Sequence, residues 1–359
     1  MKTKLIYFAV FFITVTFFTR CNDNDGPPAG DFDLKDQGVL ILNQGNWGSN
    51  DAGLSVYDPI DKTMQADIFS GRLGDLAQDM VLYGNKLYIS LASSNLISVV
   101  DINTLTEITK ITTNIDNSHF SPYRFAVNAG KVYVTVQEST SRNGYVFQVD
   151  TTSLEIVSRA QVGINPEGIA HYGNKLYVAN TGTWGNYDNT LSVIDIHSFE
   201  KIDEITVGTN PYLVQSAGDG KLFLNYRGNY DDIAGGFQII DVYSKKVETK
   251  VNDIPFENFT VSGDIIYFYG VSYNDKGVPF HNGIQIYDLK LGKVKETSFA
   301  SASGVEGTPY AIDIHPVTKE LYLATYFASE RGKMYVFDTS GNLKTTKNVG
   351  FYPCKFAFY

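Results

Sequence analysis

Residues 165–208 read NPEGIAHYGNKLYVANTGTWGNYDNTLSVIDIHSFEKIDEITVG. The alternation of apolar and polar residues predicts four short strands, Gly168–His171, Leu176–Asn180, Leu191–Ile196 and Lys201–Val207. Tight turns are expected at Tyr172–Lys175 and His197–Glu200, and a polar, aromatic loop at Thr181–Thr190. Variations on this unit account for the rest of the chain. An apolar residue followed by Asp marks the end of each third strand, at Asp58, Asp101, Asp150, Asp195, Asp241, Asp288 and Asp338, with intervals of 43, 49, 45, 46, 47 and 50. A Pro opens most first strands (Pro122, Pro166, Pro211, Pro255, Pro309, Pro353), and second strands carry patterns such as Lys86-Leu-Tyr and Lys175-Leu-Tyr.

A period in the forties with four strands per unit predicts an all-β, seven-bladed β-propeller. Gly38-Val-Leu-Ile-Leu matches a second strand, not a first. The C-terminal strand from Pro353 to Tyr359 is therefore expected to pair in the first blade and close the ring. The rival reading, an open solenoid, has no use for such a split unit.

Residues 1–20 read as a signal peptide. Lys2 and Lys4 precede a 14-residue apolar core, Leu5–Phe18, which is too short to span a bilayer comfortably. Cys21 follows at once, as expected of an acylated lipoprotein, although Arg20 departs from the small residue usual before such a Cys. The polar, Pro-rich residues 21–36 read as a flexible tether, and residues 37–359 as the propeller. Cys354 is expected to be a buried strand residue without a disulfide partner. The formal charge of −10 argues against nucleic acid, which requires a basic footprint.

In a four-stranded unit the turns from strand one to two and from three to four share one face, and these are short. The connections on the other face are longer and varied: 43–53, 137–144, 180–190, 225–236, 270–283 and 325–333. Function commonly sits on variable loops carried by a rigid scaffold. The candidate ligand-binding residues on that rim are Asn46, Trp47, Tyr123, Arg124, Glu167, Trp184, Tyr187, Tyr212, Tyr226, Arg227, Tyr273, Tyr310, Tyr326 and Tyr352. Aromatics offer contact area at low entropic cost, and Asn, Tyr and Arg offer directional hydrogen bonds. For each residue alone, packing between blades is an equally good reading. The five His are scattered, so no metal cluster is expected, and no nucleophile elbow or phosphate loop is present. Nothing convincing marks an enzyme, and no cofactor is expected.

The repeat resembles the YVTN, or YncE-like, propellers. The opening Leu42-Asn-Gln-Gly-Asn-Trp-Gly-Ser-Asn-Asp-Ala-Gly-Leu-Ser-Val-Tyr-Asp-Pro59, behind a lipoprotein signal, resembles BtuG-type surface lipoproteins of Bacteroides. That resemblance implies an outward-facing outer-membrane lipoprotein that captures cobalamin and passes it to a BtuB-like, TonB-dependent transporter. The alternatives are a surface propeller for a glycan or protein and, less favoured, a propeller lactonase or lyase.

Overall fold

The computed structural model describes residues 38–359, apart from Ser70, Ala217 and Asp253. The expected signal peptide, the acylation at Cys21 and the tether lie outside the described residues. Seven four-stranded antiparallel sheets form the ring. Their innermost strands are, from blade 1 to blade 7, Pro353–Phe358, Ala77–Tyr83, Phe120–Asn128, Pro166–Tyr172, Pro211–Ser216, Asn258–Ser262 and Thr308–Ile314. Blade 1 is split as expected. Strand Val39–Asn43 pairs with Pro353–Phe358 on one side and with Gly53–Asp58 on the other. Phe356, buried beside Tyr322, Ala324 and Met334, ties the closing strand to blade 7.

The spaced Asp residues each shape one turn. In the first six blades the Oδ1 atom accepts backbone N–H groups two and three residues ahead; Asp195, for example, accepts from His197 at 2.9 Å and Ser198 at 3.0 Å. The turn then places the fourth residue at positive φ, as at Leu105, Leu154, Phe199 and Lys245. Blade 7 varies the pattern: Asp338 accepts from Ser340 and Asn342, and Gly341 takes the positive φ. The Lys opening the second strand stands directly across from the same Asp, at Lys86–Asp101, Lys131–Asp150, Lys175–Asp195 and Lys221–Asp241. Two of these pairs are ion pairs, Lys131–Asp150 and Lys221–Asp241.

Successive blades are tied near the axis. Ser90 Oγ donates to Tyr123 O at 2.6 Å, Thr135 Oγ1 to Glu167 O at 2.9 Å, and Thr181 Oγ1 to Pro211 O at 2.9 Å. Asn225 Nδ2 donates to Phe256 O and Glu257 O, both at 3.0 Å. Inner strands also approach closely. A Cβ on Gly168 would stand 2.5 Å from Tyr212 O of the next blade, so only glycine fits there.

Two local expectations are corrected. Most of the expected loop Thr181–Thr190 is strand: Lys175–Thr183 and Asn186–Asp195 form one long hairpin with Trp184 and Gly185 at its tip. Polar composition there reflects exposure of the hairpin above the ring and not irregular backbone. In blade 6, Pro255 is exposed and precedes the inner strand, which begins at Asn258.

Phe356→Ala should cost about 3–5 kcal/mol of stability, read by chemical denaturation. Lys131 and backbone N–H groups hold Asp150 well below its ordinary value, and Lys221 and backbone N–H groups do so for Asp241. Turn N–H groups of Ser198 and Leu291 lower Asp195 and Asp288, and Asn342 lowers Asp338. A depressed carboxylate stabilises fully above its unfolded value of about 4 and loses that contribution as pH falls below it. The melting temperature should therefore be flat from about pH 7 to 5 and drop below about pH 4. Asp195→Asn should lower the neutral-pH value and flatten that drop.

Candidate functional site

Strand direction sets which turns share a face. The second-to-third connections of all blades emerge on the same side as the starts of the inner strands. Trp47, in the blade 1 connection, and Trp184, at the blade 4 hairpin tip, thus stand on one face, 80% and 83% exposed. Trp184 lies parallel to Tyr230 from blade 5, with ring centroids 5.6 Å apart and planes at 17°. Tyr187 meets both edge-on, at 6.0 and 5.9 Å. A stem of paired strands holds the indole, so the platform is displayed with little freedom to lose. Asn46 braces the Trp47 loop: its backbone N–H donates to Asp51 Oδ1 at 2.6 Å and its Nδ2 to Asp51 Oδ2 at 2.9 Å.

A second aromatic group lies where the ring closes. Tyr326 stacks on Tyr352 at 5.2 Å and 28°, and Tyr310 meets both edge-on. Tyr310 donates its hydroxyl to Gln44 Oε1 at 2.9 Å, linking blade 7 to blade 1. In blade 6, a two-stranded hairpin, Ser272–Tyr273 with Pro279–Phe280, rises on the same face with Tyr273 and Phe280 exposed.

Between these groups, the inner-strand mouths carry a charged centre. The Arg227 guanidinium lies 3.4 Å from the Tyr212 ring centroid, and its Nη2 donates to Glu257 Oε1 at 2.7 Å. From the other side, Arg124 donates through Nη2 to the Tyr212 hydroxyl at 3.0 Å and through Nη1 to Gln78 O at 2.7 Å. Burial pushes the Glu167 carboxyl up, although Arg124 and Arg227 oppose that rise. Burial disfavours both guanidinium charges, but the surrounding Tyr212, Asp79, Glu167 and Glu257 outweigh it, so both arginines stay charged. The Tyr123 hydroxyl donates to Gln137 Oε1 at 3.3 Å.

Tyr226 does not reach the rim. It is 2% exposed, its ring packs over Gly208, and its hydroxyl bonds Asn252 Oδ1. In its register position other blades place Asn43 or Asn180 opposite the entry Pro. Glu257 and Tyr230 join the site beyond the candidate set: Glu257 follows the blade 6 mouth residue Phe256, and Tyr230 shares a loop with Arg227. Phe256 itself is buried in an aromatic stack with Phe237 and Phe268.

Below the charged centre, a cavity of 480 Å³ follows the axis between the inner strands. Asp79, Gln215, Asn258, Asp313 and Lys355 line it, with His171 toward the short-turn face. Cys354 also lines it and is buried and free; burial raises its thiol to about 12. Among the described residues, no group of three or more His, Cys, Asp or Glu is placed to hold a metal ion.

These features define a seven-bladed β-propeller with an aromatic and charged display on one face. The chain belongs to the family described as Domain of unknown function (DUF5074), whose profile matches residues 37–359. Among solved structures it is similar to Kuenenia stuttgartiensis hydrazine synthase, at 20% identity and TM-score 0.62, covering 75% of this chain and 85% of that one. It is also similar to a quinonprotein alcohol dehydrogenase-like protein of Bacteroides thetaiotaomicron, at 17% identity and TM-score 0.61, covering 89% and 78%. A third is the dihydro-heme d1 dehydrogenase NirN, at 11% identity and TM-score 0.59, covering 92% and 77%. At these identities the likeness is one of fold. No curated protein matches the sequence.

The two exposed indoles make the rim spectroscopically addressable. Tryptophan emission should be red-shifted and readily quenched by acrylamide, with Trp47→Phe and Trp184→Phe each removing part of the signal. Tyr226→Ala should lower stability by about 3 kcal/mol or more, whereas Trp184→Ala should cost about 1 kcal/mol or less.

Proposed function

We propose that this propeller is a capture protein that binds its ligand on the long-loop face, without a reaction of its own, and that the ligand is a corrinoid such as cobalamin. The observation that carries the reading is the exposed Trp184–Tyr230 stack with Tyr187 against it, held on a paired-strand hairpin beside a charged centre. A flat, amide-fringed macrocycle offers apolar faces to such rings. Its amides suit the hydroxyls and guanidiniums of Tyr212, Arg124 and Arg227.

The polarity of the ring supports a role at a surface. Strand Val39–Asn43 runs from the short-turn face toward the rim, so the chain preceding Gly38 joins the ring on the face opposite the aromatic display. An anchor at Cys21 would then leave the long-loop face pointing outward, free to take up cargo for hand-over to a TonB-dependent transporter in the same membrane. In this reading the protein is an outer-membrane lipoprotein facing the cell exterior. Glycan capture by the same rim is the second reading, favoured by the parallel stacking of exposed rings.

Titrating the purified protein with cyanocobalamin should quench Trp184 emission and retain red colour through gel filtration. Trp184→Ala should weaken binding by about 5- to 150-fold, corresponding to about 1–3 kcal/mol of lost stacking. A titration with no heat, no emission change and no co-elution would rule the corrinoid out. Signal on a glycan array would then favour the second reading.

A further inference from the structure

We propose that the axial cavity is a second ligand site, separate from the rim, that takes a small zwitterion carrying both an ammonium and a carboxylate, such as an α-amino acid or a dipeptide. At 480 Å³ the cavity falls in the range of small-molecule sites. Its lining reaches Arg124 but includes none of Tyr123, Glu167, Tyr212 or Tyr310, which form the layer above. Arg124 closes that end, held by Gln78 O and the Tyr212 hydroxyl. The other end is lined by His171, Val127 and Ser216, at the short-turn ends of their strands, so a guest enters from the face opposite the rim.

The chemistry of the wall is two-signed. Asp79 is 5% exposed; its Oδ2 accepts the Phe125 N–H at 2.9 Å, while its Oδ1 accepts no hydrogen bond. The nearest cation to that oxygen, Lys355 Nζ, stands at 3.9 Å, beyond hydrogen-bond reach. Asp313 receives the Thr260 hydroxyl and the Ile314 N–H on Oδ1 alone, at 3.0 and 2.8 Å. On the donor side, Arg124 Nε has no protein partner, and Lys355 contributes a second cation. A buried group without a partner is costly, and a charged one more so. Burial raises the Asp313 carboxyl and Lys355 opposes that rise; with both carboxylates ionised, the two cations balance them. A purely cationic or anionic guest would satisfy one half and meet repulsion from the other. A zwitterion supplies an N–H donor to Asp79 and Asp313 and a carboxylate to Arg124 and Lys355.

The test is thermal shift and calorimetry on the propeller with L-alanine, L-glutamine and glycylglycine, set against sodium acetate and ethylammonium chloride. At least one zwitterion should raise the melting temperature and give saturable heat, and the two singly charged probes should not. Asp79→Asn keeps an acceptor for the Phe125 N–H and should weaken binding about tenfold or more. Lys355→Gln should do the same, with circular dichroism confirming that both variants are folded. Trp184→Ala should leave this binding intact, so that failure at the rim and failure in the cavity are told apart. The proposal is overturned if no zwitterion stabilises the protein, if acetate or ethylammonium binds as well, or if both folded variants bind undiminished.

Discussion

Each blade is secured to the next where a second-strand hydroxyl or amide donates to a carbonyl at the mouth of the following inner strand. Ser90, Thr135, Thr181 and Asn225 do this in four successive blades. Inner strands have one unpaired edge, and buried backbone carbonyls there require partners. These bonds answer that need and also set the angle between blades. Individually each contributes about 1 kcal/mol. Together they hold the strand mouths, and so the residues displayed at them, in fixed relation. Arg124 of blade 3 meets Tyr212 and Arg227 of blade 5 in one stack because the carbonyls beneath them are held.

The division of labour between the two faces follows from the same construction. On one face, turns built on Asp carboxylates are short and nearly identical. On the other, the connections share no common turn device, and they differ in length and content, although Gln44 in one of them also links blade 7 to blade 1. The aromatic display occupies the side free to vary. Its support is not uniform: the blade 4 platform stands on paired strands, while the blade 1 loop with Trp47 is braced by Asn46, Asp51 and a Gly48 N–H to Asp75.

Much of the fold was legible because its repeated residues act locally. An Asp that caps a turn two and three residues ahead, or a Lys facing that Asp across one strand pair, leaves its mark at constant spacing. The closing strand was legible because the first unit lacked an inner strand and the last residues matched one. The site was harder to read, since display or burial of an aromatic depends on a neighbour far along the chain. Tyr226 is core because Gly208, in the connection from the previous blade, leaves room for its ring; Tyr230, four residues on, stacks on Trp184. No local pattern distinguishes the two. The grouping of Asp79, Asp313 and Lys355 was hidden for the same reason, as blades 2, 7 and 1 contribute one residue each. The hairpin carrying Trp184 reads as a loop because exposed strands above the ring need no apolar alternation.

Closure of the first blade by the last strand places a demand on the order of assembly. The Gly350 N–H bonds Asn43 Oδ1 across a separation of 307 residues. During synthesis blade 1 must wait, three-stranded and with an apolar edge bare, until nearly the whole polypeptide has emerged. Contacts of such long range are slow to form and leave intermediates open to mispairing. Blades 2 to 7 can mature in sequence meanwhile, so the final event is a docking of one strand into a prepared slot. A protein built this way closes its ring last, with the strand that leaves the ribosome last.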